Sequence, residues 1–156
     1  MSTRSYIVIE KKRESGEKFY EGVYCHWDGY PSCNGQILFD HYKDRAKVEK
    51  LISQGDISSL DEEIEPTEGS GHCFDKREKG VCSFYGRDRG ETGVDAKEVT
   101  LQELANDIFI EYTYIYTLDD EWMVFADWYL DRIMKLEDVL KDESILYPES
   151  EEKEVK

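Results

Sequence analysis

Residues 24–35 read Tyr24-Cys25-His26-Trp27-Asp28-Gly29-Tyr30-Pro31-Ser32-Cys33-Asn34-Gly35, and the hydrophobic period changes across them. Upstream, residues 5–11 carry the run Tyr6-Ile7-Val8-Ile9 and predict a buried strand. Glu14-Ser15-Gly16-Glu17 predicts a turn and residues 18–27 a second strand, so the chain opens on a hairpin. The Asp28-Gly29 and Tyr30-Pro31 steps stop that strand through their backbone geometry. Downstream, Ile37, Leu38, His41 and Tyr42 fall on one helical face. Asp44 is then placed to cap a second helix with Val48, Leu51 and Ile52 on its stripe, ending at Gly55.

The same reading extends outward. Residues 56–60 predict one further helical turn, anchored by Ile57 and Leu60, and the acid-rich residues 61–71 an exposed connection. Residues 81–85 predict a strand, and 86–93, with three glycines, a loop containing positive φ angles. Thr100 and Glu103 have capping-box spacing, with Leu101, Leu104, Ala105 and Ile108 as the apolar face behind them. Tyr112, Tyr114 and Tyr116, then a turn at 118–121 and Trp122 to Phe125, make the clearest hairpin. Leu136, Val139 and Leu140 predict a last helix. The expectation is a single α+β domain over residues 1–140, a largely antiparallel sheet of about four to six strands with helices mainly on one face. Residues 141–156 read as an acidic, disordered tail.

Composition narrows the function. The 156 residues are 39% hydrophobic and 13% aromatic, enough for a core without disulfides or a metal. The net charge of −16, from 36 acids against 20 basic residues, repels nucleic acid and anionic membranes. Residues 141–156 hold six of the acids and three lysines, so most of the excess belongs to the body. No apolar run reaches the roughly 20 residues needed to span a bilayer, and residues 1–5 carry no signal-like hydrophobic region, which implies the cytoplasm. In that compartment four cysteines are expected as reduced thiols.

Few residues carry a recognisable chemistry. Cys25, His26, Cys33, His72, Cys73 and Cys82 are potential zinc ligands, but no paired Cys-x-x-Cys knuckle is present and adjacent Cys-His pairs diverge on strands. Nothing marks a lowered thiol pKa, so no catalytic cysteine, metal or cofactor is assigned. Arg87, Asp88 and Arg89 lie in a glycine-rich turn of a very acidic chain. Two guanidinium forks there either hold phosphate or pair with the protein's own acids, Asp28 or Glu91 among them. If that turn faces residues 24–35, Tyr24, Trp27 and Tyr30 offer stacking faces. His26, Asp28, Asn34, Asp88, Glu91 and Thr92 then complete a nucleotide-sized site.

Several of these segments together resemble a family of small proteins encoded by bacteriophages and prophages. They are Thr3-Arg4-Ser5, residues 24–31, Gly55-Asp56-Ile57-Ser58-Ser59-Leu60, residues 85–93, and Glu111-Tyr112-Thr113-Tyr114 followed by the tryptophan strand. The resemblance runs to about Val139. It implies a phage origin and carries no catalytic residue onto this chain. Small accessory phage proteins often counter host defence, which gives the expected function: a non-enzymatic anti-defence factor binding a nucleotide-like ligand or a host effector protein, with self-association possible. The alternatives are an acidic DNA mimic that inhibits a host nuclease and a small nucleotide hydrolase using His26, Asp28 and Arg87.

Overall fold

A computed structural model describes residues 2–148. Strand β1 (Ser5–Lys12) and β2 (Lys18–Cys25) form the expected antiparallel hairpin, with Ser5 opposite Cys25 and Lys12 opposite Lys18. A π-helical turn (Pro31–Gly35) leads into α1 (Gln36–His41), and α2 (Arg45–Ser53) follows. Asp44 caps α2 as its position predicts, its carboxylate accepting from the Lys47 amide at 2.9 Å. β3 (Ile57–Ser59), β4 (Ser83–Phe84), α3 (Tyr85–Arg89), β5 (Lys97–Val99) and α4 (Leu101–Asn106) come next. β6 (Tyr112–Tyr116), β7 (Trp122–Ala126), β8 (Met134–Lys135) and α5 (Leu136–Lys141) complete the chain's main elements.

The eight strands of the described residues join one sheet in the order β4-β3-β2-β1-β6-β7-β8, with β5 pairing Tyr20 to Gly22 in the middle of β2. The class is α+β as expected, but the sheet is larger than four to six strands. The additional strands are two- and three-residue pieces, too short to show a period-two pattern. Pairing is antiparallel except where β1 meets β6 and β2 meets β3.

Alternation along the long strands sends side chains to two cores. Ile7, Ile9, Val23, Cys25, Tyr114, Tyr116 and Val124 pack beneath α1, α2 and α5 through Leu38, Val48, Leu51, Ile52, Leu136 and Val139. Val8, Ile115 and Phe125 face the other way, onto Leu104 and Ala105 of α4. Each fully buried aliphatic or aromatic side chain contributes on the order of 1.5–3 kcal/mol. The first cluster therefore holds most of the stability.

Four expectations change. Residues 56–60 form β3 instead of a helical turn, because the open edge of β2 supplies partners: the His26 amide donates to Ile57 O at 3.0 Å and the Trp27 amide to Ser58 O at 3.1 Å. α3 takes in residues 86–89, where a loop was expected, together with Tyr85 from the end of the expected strand, and Gly90 at φ 72° closes the turn. Ile108 lies beyond the end of α4, so it is exposed instead of lying on the helix's apolar face. The domain also does not stop at residue 140. Residues Glu143–Leu146 form a 3-10 turn that seats Leu146 in the core, and the Tyr147 hydroxyl meets that of Tyr112 at 3.3 Å. The rest of the expected tail, residues 149–156, lies outside the described residues.

Candidate functional site

The turn after β2 is rigid. Asp28 adopts φ 55°, the Gly29 amide donates to Thr3 O at 2.8 Å, and Gly29 O accepts from the buried Tyr114 hydroxyl at 2.6 Å. A Cβ at Gly29 would stand 2.7 Å from the Ser5 Cβ, so only glycine fits. Asn34 is buried and structural: its amide nitrogen donates to Trp27 O at 2.9 Å and to the Cys25 sulfur at 3.4 Å. Burial, then the neighbouring Cys82, pushes the Cys25 thiol up to about 12, which makes it a core group and no nucleophile.

Residues 24–35 and 85–93 lie on either side of β3. The Tyr24 amide donates to the Asp56 carboxylate at 3.0 Å and the Tyr85 amide to Asp56 O at 3.3 Å. The expected arginine forks, however, are turned inward. Arg87 donates to both Asp88 oxygens at 2.9 and 3.1 Å, to Cys82 O at 3.1 Å and to Ile64 O, with its guanidinium over the Phe84 ring. Asp88 also accepts from the Phe84 amide at 2.8 Å and faces His72 Nε2 at 3.4 Å. Burial alone would raise the Asp88 pKa; the hydrogen bonds from Arg87 and Phe84 outweigh it and hold the carboxyl below its ordinary value. The side chains of His72 and Asp88 are 1% and 5% exposed, so this knot pins residues 61–82 to β4. Arg89 pairs with Glu91 and lies over Phe74 and Tyr85, while Thr92 is exposed. The arrangement that the spacing suggested, cationic forks beside Trp27, is not formed.

A different grouping is. Cys25, Ser5, Tyr112 and Ala126 are consecutive partners across β2, β1, β6 and β7. The segments just beyond that row, around residues 26–30, 2–4, 107–111 and 127–129, therefore share one end of the sheet. They are tied together: the Glu111 amide donates to Arg4 O and the Asp127 amide to Glu111 O, both at 2.9 Å. Three interstrand spacings make this end roughly 14 Å wide.

All five exposed large apolar residues among the described residues belong to these segments: Trp27 (42%), Tyr30 (39%), Ile108 (86%), Phe109 (62%) and Trp128 (66%). Trp27 packs edge-on against His26 with ring centres 4.6 Å apart. The Tyr24 hydroxyl lies 2.6 Å from His26 Nδ1. Burial, and secondarily Arg4, lowers the His26 pKa, while burial raises that of Tyr24. At neutral pH both groups are accordingly uncharged and share one hydrogen bond, whose direction follows the imidazole tautomer. Arg4 faces Tyr24 and lies 5.7 Å from the Phe109 ring centre.

Of the expected site residues, Tyr24, His26, Trp27 and Tyr30 belong to this end. Asp28 is in its turn, Asn34 lies beneath it, and Arg87, Asp88, Arg89 and Glu91 serve the internal knot and its neighbour. Sequence reading missed Arg4, Ile108, Phe109 and Trp128, although the run Ile108-Phe109 directly after a short capped helix was a usable signal. Comparison with family models, curated proteins and solved structures returned no match.

Proposed function

We propose that this protein is a non-enzymatic binder that docks its aromatic sheet end on a basic surface of another protein. The observation that carries this reading is that every exposed large apolar residue among the described residues belongs to the segments at one end of the sheet. Exposed apolar groups concentrated in one place mark interaction sites, and tryptophan is prominent among residues that dominate interface energy. Charge selects the partner. No ion pair among the described residues involves Asp107, Glu111 or Asp127, which border Ile108, Phe109 and Trp128. Glu111 accepts from the Arg4 amide at 3.1 Å and Asp107 from the Phe109 amide at 2.9 Å, which leaves three carboxylates against the single cation Arg4 at this end; in a chain of net charge −16 that balance favours a cationic partner. On the resemblance to phage accessory proteins, that partner is a bacterial defence protein whose activity is blocked by occupation.

The test is site-directed photo-crosslinking in bacterial cells. A photoreactive residue replaces Phe109 in one version and Glu49, exposed on α2, in another. The expected result is one captured protein from the Phe109 position only, lost on Trp128→Ser, whose isolated activity falls on adding the purified chain. Equal capture from Glu49, or capture indifferent to Trp128→Ser, refutes the reading.

A further inference from the structure

Between the loop after α4 and the loop after β7 lies a cleft of about 260 Å³, lined by Asp107, Ile108, Ile110, Asp127 and Trp128 among others. It falls below the roughly 300–1,000 Å³ of sites for drug-sized ligands, so it suits one long side chain better than a nucleotide. Its walls are apolar: Ile110 is buried behind, and Ile108 and Trp128 stand at the rim. Its polar groups are the carboxylates of Asp107 and Asp127 and the amide of Asn106, whose Oδ1 already accepts from Gln102 Nε2 at 3.0 Å. Asp107 accepts from the Phe109 amide through one oxygen at 2.9 Å, which fixes its direction. Asp127 is held at φ 48°, and no hydrogen bond from the described residues reaches its carboxylate. Burial, then the charge of Glu111, raises its pKa, and no cation offsets either effect. Tyr147 is the other titratable group that senses it.

We infer that this cleft is the receptor for an arginine side chain of a protein partner, its stem along Ile108 and Trp128 and its guanidinium between Asp107 and Asp127. The chemistry favours arginine over lysine, because a planar fork serves two carboxylates and stacks on an indole, whereas an ammonium is a point charge. The inference rests on the docking function proposed above and specifies the anchor within it.

The probe is N-acetyl-arginine methylamide, with the neutral isostere N-acetyl-citrulline methylamide as control, titrated into the full chain and followed by NMR. The readout is the indole N–H of Trp128, assigned with Trp128→Phe. A saturable shift with the arginine compound and none with citrulline is expected. Asp127→Asn weakens the binding about fivefold, the scale of a partly exposed ion pair, while Glu49→Gln, with the same change in charge, leaves it unaltered. Equal shifts with citrulline, or equal weakening by both variants, overturns the inference. The two proposals fail separately: a silent Trp128 indole alongside intact crosslinking from Phe109 removes the arginine anchor and leaves the docking function standing. Arginine binding with no edge-specific crosslinking removes the docking function, and with it the inference that depends on it.

Discussion

Replacing Arg87 by alanine separates a structural knot from a ligand fork. The guanidinium joins Asp88, Cys82 O and Ile64 O, and lies 4.7 Å from the Phe84 ring centre. Its loss leaves Asp88, 5% exposed, facing His72 without its cation. Removing one partner of a buried ion pair typically costs 3–5 kcal/mol, and because the Arg87 side chain is still 22% exposed the lower end applies, about 3 kcal/mol. For a chain of this length that is a fall of roughly 6–12 °C in Tm. Urea unfolding followed by circular dichroism measures it. The pH dependence is a second check. The folded pKa of Asp88 is lowered, so the pair's contribution is complete above the ordinary aspartate value and fades as pH falls through the folded one. The gap between Arg87→Ala and the parent therefore narrows in acid. A loss below about 1 kcal/mol, or a gap constant with pH, refutes the assignment of Arg87 to this network.

Gly55→Ala should cost more than about 2 kcal/mol in the same assay, because the residue sits at φ 85° and an added Cβ would meet Val94 O at 2.5 Å. Native thiol labelling should find Cys73, which is exposed, reacting first, and Cys25 and Cys82, buried with raised pKa values, reacting only on unfolding. Thr100→Ala should cost about 1 kcal/mol, since Thr100 Oγ1 accepts from the Glu103 amide at 3.1 Å and Glu103 returns the bond at 2.8 Å.

What the sequence made legible follows from the range of the forces involved. The β1–β2 and β6–β7 hairpins and the caps at Asp44 and Thr100 depend on neighbours a few residues away, and their patterns are complete within one stretch. β3 and β5 depend on an edge offered by the distant β2, and three residues carry no period of their own. The site divides in the same way. Tyr24, Trp27 and Tyr30 stood out by composition in their turn, but grouping them with Phe109 and Trp128 requires the parallel pairing of β1 with β6, which joins segments about a hundred residues apart. Arg87 and Arg89 drew attention as rare cations among acids. That rarity is also why they were neutralised: each found a carboxylate one or two residues away.

The same reasoning turns Asp127 into a test of whether the sheet end was shaped for stability or for binding. Its folded pKa is raised, so ionisation opposes folding: its stability contribution is complete below the ordinary aspartate value and lost as pH rises through the folded one. Asn keeps the shape, tolerates φ 48° and removes the charge. Asp127→Asn should therefore leave the free protein equally stable or more so, by up to roughly 0.5 kcal/mol, at neutral pH, and should flatten the pH dependence between the ordinary aspartate value and the raised folded one. The same substitution should weaken arginine binding. Opposite signs in the two measurements are what a carboxylate kept for an external cation produces, because the partner then supplies the compensation that the chain itself lacks. If unfolding and binding are both impaired, Asp127 is holding its own loop together and the cation belongs elsewhere.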